Sequence, residues 1–198
     1  MSQPKATVER LGTFSDGVFA VLITIMVLEL KPPEQPTFAA LVPLWPTVLS
    51  YAVSYLFIAI VWTNHHHLLR FADECTPQLI WINFAHLFMV SLVPFSTAWV
   101  ARTRLAAAPV FVYAVVFVLV QVAYLQFEHY VLTQVMGSEF PRRTQRFAKA
   151  RSFIAFALFL TAMFASLKFP RWGFGLVCCA VFLYLHPEPL GAWRRRTN

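Results

Sequence analysis

Residues able to do chemistry are few here, and they gather toward one end of the chain. Arg10, Phe14, Ser15 and Asp16 follow the spacing R-x-x-x-F-S-D where a long apolar run begins, RLGTFSDGVFAVLITIMVLEL, ending at Leu30. Asn64, His65, His66 and His67 close a second such run, and Trp81, Asn83 and His86 open a third. A charge at the edge of an apolar helix has to be solvated, paired or functional. Two readings are open. One is a hydrogen-bonded network that joins Arg10, Ser15 and Asp16 to some of the three histidines and fixes the first helix. The other has Ser15 or Asp16 capping a helix while the histidines sit in water. Arg10 and Asp16 lie on different helix faces, so they do not form an i,i+4 pair and each needs a partner on a neighbouring helix.

Metal or haem chemistry fits these residues poorly. Successive helical residues point about 100° apart, so His65, His66 and His67 do not all reach one ion from a regular helix. No H-E-x-x-H motif accompanies them. His86 and His129 stand alone in apolar sequence, where a histidine ordinarily hydrogen-bonds a neighbouring helix. Cys75, Cys178 and Cys179 lack ligand spacing and read as reduced packing residues. No metal and no cofactor is expected. Without a nucleophile–base spacing, paired acids inside a span or a phosphate loop, neither is an enzyme.

Inside the first run, Ile23, Val27 and Leu30 recur at steps of four and three, which places them on one helical stripe continuing back to Ala20 and Asp16. Thr24 is the sole hydroxyl between Asp16 and Glu29. Ordinary helix packing explains such a stripe as well as a pore lining does. Glu29 is either a mouth charge that concentrates cations or an interfacial acid in water.

These residues need helices in a membrane to position them. The chain has 198 residues, of which 59% are hydrophobic and only 13% charged, with 20 Phe. A soluble domain carries about a quarter charged residues. Six spans are expected, at about 11–30, 45–64, 78–101, 107–132, 152–167 and 172–185, in one all-α domain over 1–198. Lys31-Pro32-Pro33 stops the first, and Lys168-Phe169-Pro170-Arg171 divides the last apolar stretch into two short helices. Glycine is scarce and no G-x-x-x-G occurs, so Ala, Ser and aromatics must pack the helices. A signal peptide would need a cleaner apolar core than one flanked by Asp16 and Glu29.

Six spans put both termini on one side. That side holds Lys5, Arg10, Arg70, Arg142, Arg143, Arg146, Lys149, Arg151 and Arg194 to Arg196, against Lys31, Arg102, Arg104, Lys168 and Arg171 on the other. The excess predicts cytoplasmic termini. The net charge of +7 is explained by these loops rather than by nucleic-acid binding.

The motif Arg10-x-x-x-Phe14-Ser15-Asp16-Gly17-Val18-Phe19-Ala20 with Leu28-Glu29-Leu30 resembles the first helix of the endosomal/lysosomal potassium channel family, transmembrane protein 175. The likeness is to the short prokaryotic form with one six-helix repeat per chain. Trp62-Thr63-Asn64-His65-His66-His67 and Val90-Ser91-Leu92-Val93-Pro94-Phe95-Ser96-Thr97-Ala98 echo it. The resemblance implies a passive potassium channel in a prokaryotic inner membrane, a homotetramer surrounded by lipid with four first helices lining the pore. It makes Ile23, Val27 and Leu30 the hydrophobic constriction, with Ile23 narrowest and Thr24 beside it. No T-V-G-Y-G filter is present. The alternatives are a proton- or ion-coupled secondary transporter, for which Glu128 and His129 are the awkward residues, a haem-binding membrane protein, and a scaffold without transport.

Overall fold

The computed structural model describes residues 4–72, 74–134 and 142–184, with the backbone alone for 4–6, 142–152 and 184. The described residues form seven α-helices and no strand. They are α1 (Pro4–Val27), α2 (Trp45–Leu69), α3 (Pro77–Ser91), α4 (Val93–Arg102), α5 (Ala107–Gln134), α6 (Arg142–Ser166) and α7 (Pro170–Tyr184), with a 3₁₀ helix (Phe38–Leu44) before α2. Four stretches are long and apolar enough to cross a membrane: Thr7–Val27, Phe38–Leu69, Pro77–Arg102 and Ala107–Gln134. Two shorter apolar helices follow, Phe153–Ser166 and Pro170–Leu183. The fold is all-α and the chain is a multi-pass membrane protein, with the expected count of six. Asp73, the side chains from Arg142 to Arg151, and the tail with Arg194 to Arg196 lie outside the described residues; the backbone of 142–151, expected as a loop, is the first part of α6, which starts ten residues before the expected 152.

Boundaries differ from the expectation in three informative places. The α-helical part of the first span ends at Val27. The N–H groups of Leu28, Glu29 and Leu30 reach back only three residues, to the carbonyls of Ile25, Met26 and Val27 at 3.1, 3.2 and 3.0 Å. This tightening precedes Pro32 and Pro33, which cannot extend a helix. The second span runs through His65 to Leu69, because Leu68 and Leu69 are buried against Val8 and Leu11 of α1. The third span is broken at Leu92. Pro94 has no N–H for the carbonyl of Val90, so α3 ends with Leu92 N–H on Met89 O at 3.3 Å and α4 starts with Ser96 N–H on Leu92 O at 3.1 Å.

α5 is the post of the bundle and packs against α3, α4, α6 and α7. Aromatics fill its faces: Phe117 stacks on Phe57 of α2 at 3.8 Å and meets Phe159 of α6 edge-on at 5.5 Å. The α6–α7 hairpin is closed around Gly173, where an added Cβ would lie 2.8 Å from the Cα of Ser166. α1 buries one face only, through Val8, Leu11, Ser15, Phe19, Leu22 and Met26.

α4 ends in a Schellman motif. Arg104 N–H bonds Ala101 O at 3.3 Å and Leu105 N–H bonds Val100 O at 3.1 Å. Arg104 and Leu105 both have positive φ, 52° and 65°. Leu105 and Val100 are both buried in the main core, the apolar contact that accompanies this cap.

Candidate functional site

Ser15, Asn83 and His65 meet in the interior, from α1, α3 and α2. The Ser15 hydroxyl donates to Leu11 O at 2.9 Å and accepts from Asn83 Nδ2 at 3.1 Å. Asn83 Oδ1 lies 2.6 Å from His65 Nε2. An amide oxygen only accepts, so this ring nitrogen carries the proton. The His65 ring stacks on Phe127 of α5 at 5.0 Å and lies parallel to His86 of α3 at 5.8 Å. Ser15, Asn83 and His86 are fully buried and His65 nearly so. In apolar surroundings a polar group finds a partner or is costly, so this chain of bonds holds the middle of α1 at one depth against α2 and α3.

Asp16 points about 100° away from Ser15 and takes different partners. Its carboxylate accepts from Trp62 Nε1 at 2.7 Å, with His66 Nδ1 at 3.9 Å. Arg70 Nη2 donates to His66 Nε2 at 3.0 Å. Asp16, His66 and Arg70 line an open groove between α1 and α2 with Glu9, Gly12 and Thr13.

The single network expected from the sequence is therefore two. Arg10 belongs to neither: it is exposed and forms no ion pair with the acids among the described residues. His67 is exposed too, turned off the α2 face that His65 buries. Phe14 is half-exposed and meets Phe84 edge-on at 5.4 Å, while Asn64 is buried. Trp81 is exposed, whereas Asn83 and His86 of the same turn region are inside.

The stripe lies at the border of the uncovered arc of α1. Ile23 is half-buried against the main core, and Val27 and Leu30 are 48% and 37% exposed. Thr24 is exposed and donates its hydroxyl to Val21 O at 2.8 Å, which leaves the oxygen lone pairs for a cation. Glu29 is paired with Arg102 Nη2 at 2.8 Å. The sequence reading missed a buried hydroxyl chain: Ser54 lies 2.7 Å from both Thr97 and Tyr113, and Thr97 donates to Val93 O at 2.7 Å. Its only signal is the presence of hydroxyls within apolar spans. Among the described residues no three His, Cys, Asp or Glu gather to hold a metal ion. Cys75, in the loop before α3, has its thiol pushed up by burial and stays protonated.

Residues 10–94, which span both groups, match the family described as endosomal/lysosomal potassium channel TMEM175. A potassium channel of Chryseobacterium sp. (strain P1-3) is 32% identical over 179 residues, covering 90% of this chain and 93% of the relative. The chain belongs to the TMEM175 family. A potassium channel of Streptomyces collinus (strain DSM 40733 / Tue 365) is 36% identical over 118 residues, 58% of this chain and 57% of that one. The crystal structure of a lysosomal potassium-selective channel TMEM175 homolog from Chamaesiphon minutus superposes with a TM-score of 0.80 at 25% identity. That match covers 90% of this chain and 96% of the other. TMEM175 is a family of ion channels rather than of enzymes.

Proposed function

We propose that the protein is a passive potassium-conducting channel, a homotetramer in a prokaryotic inner membrane whose pore is lined by four copies of α1. The reading needs no cofactor and no nucleic acid, and the basic-residue count supports cytoplasmic termini. The observation that carries it is the half-covered α1. Membrane-spanning bundles bury polar and small groups among helices and show lipid a plain apolar surface. The uncovered arc of α1 instead carries Thr13, Gly17, Ala20 and Thr24 in one line, flanked by Ile23 and Val27 on one side and by Phe14, Val21 and Ile25 on the other.

In the tetramer these arcs face one another. Rings of Ile23, Val27 and Leu30 form a constriction that passes ions when wet and blocks them when dewetted. Thr24 oxygens supply partial replacement for the hydration shell of a potassium ion. The Ser15–Asn83–His65 network stands behind α1 and sets its depth and rotation. All copies act through the same geometry, so a small rotation of α1 alters every ring together.

The test is cation flux into proteoliposomes under potassium and then sodium gradients, for wild type and Ile23→Asn. An asparagine ring hydrates the constriction, so potassium flux rises several-fold and the preference over sodium falls. Absence of flux from a well-folded tetramer of either protein would replace this reading by the carrier or the scaffold.

A further inference from the structure

The C-terminal end of α1, the outer end on the proposed orientation, is held from the side. Beyond Val27 its backbone leaves the α-helix and turns through Leu28 and Glu29. Glu29 Oε2 then meets Arg102 Nη2 of α4 at 2.8 Å. The two side chains are 34% and 66% exposed. Beneath the pair lies a small cleft where α1, α2 and α4 meet, lined by Met26, Leu30, Thr47, Tyr51, Thr97 and Ala101. A charge pair therefore bridges these elements where apolar contact does not fully do so.

α4 is built to be a fixed support for that bridge. The break at Leu92 separates it from α3. The Ser54–Thr97–Tyr113 hydroxyl chain ties its middle to α2 and α5 in the dry interior. The Schellman cap, with Leu105 buried on Val100, ends it immediately after Arg102. Arg102 thus projects from a short helix anchored at its middle and at its end, whereas Glu29 projects from a turn without such anchors.

We propose that Arg102 and Glu29 form a latch that positions the outer end of the pore helix, holding Leu30 in the arrangement that conducts. The latch rests on the reading of α1 as pore-lining. It differs from a role for Glu29 as a bare mouth charge, and the two predict opposite signs at Arg102. Removing a positive charge near a cation pore raises local cation concentration and flux. Removing one half of a latch leaves the conducting geometry populated for only part of the time, and flux falls.

The experiment measures potassium flux in proteoliposomes for Glu29→Gln, Arg102→Gln, Glu29→Arg and the exchanged pair Glu29→Arg with Arg102→Glu. Ile23→Asn is run in parallel, and tetramer elution and melting temperature are recorded for each. A half-exposed pair predicts a fall of about three-fold for each neutral variant, with the exchanged pair back within about two-fold of wild type. A pair with a merely structural role would lower the melting temperature and leave flux in place. Unchanged or higher flux in Arg102→Gln, or an exchanged pair no better than Glu29→Arg alone, overturns the latch. If Ile23→Asn alters flux and the pair variants do not, the latch alone fails. If Ile23→Asn is silent, the pore reading fails and the latch with it.

Discussion

α1 and α5 are both long enough to cross a membrane, yet they relate to the rest of the chain in opposite ways. In α5 56% of the most apolar window is buried, in α1 28%. α5 is also the more apolar, with a mean hydropathy of 2.2 against 1.5. A post surrounded by its own chain can be apolar on every side, since each face meets a packed neighbour. α1 carries a polar motif in its middle turns and hydroxyls along an arc its own chain leaves bare. The least covered of the four long spans is therefore the one left to meet other copies and water in the proposed tetramer. On the proposed reading, stability and transport are carried by different helices of this bundle.

That division can be broken by substitution. Phe117→Ala in α5 removes a ring packed on Phe57 and Phe159, and should cost about 3–5 kcal/mol of stability, read as thermal unfolding in detergent. A loss under about 1 kcal/mol would show that α5 is not the post the packing makes it. Asn83→Ala strips Ser15 and His65 of their shared partner and should cost about 1–3 kcal/mol, because the buried ring N–H is orphaned. It should also disturb flux, since the same bonds set the depth of α1. A stability loss with normal flux would confine the network to folding. The smallest effect is expected at the end of α4. Arg104→Gly relieves a left-handed residue at the helix C-terminus and should stabilise by about 1 kcal/mol without altering flux. A lowered melting temperature there would mean that the Arg104 side chain itself is needed.

Much of the site was legible because depth in a membrane follows from position along a span. Ser15 near the start of the first run, His65 at the end of the second and Asn83 at the start of the third share one level, and the structure joins them. Depth alone did not tell which of three adjacent histidines turns inward. His65 is chosen because its face of α2 meets Phe127 and Asn83, leaving His66 to Asp16 and His67 exposed. Arg10 lies in the same motif as Ser15 but its direction on the helix carries it outside.

Hydrophobic runs and prolines, read along the chain, determined that this is an all-α membrane protein with six spans and where most of them break. They determined the levels at which polar groups sit, since each span converts sequence position into depth. Rotation of one helix against another is a property of packing, and it lay beyond the sequence. Tertiary structure alone decided that Glu29 answers Arg102, that Ser54, Thr97 and Tyr113 form one chain, and that α1 keeps half its circumference bare. Each of these joins residues far apart in sequence, and the angle at which two helices meet is set by all the side chains between them.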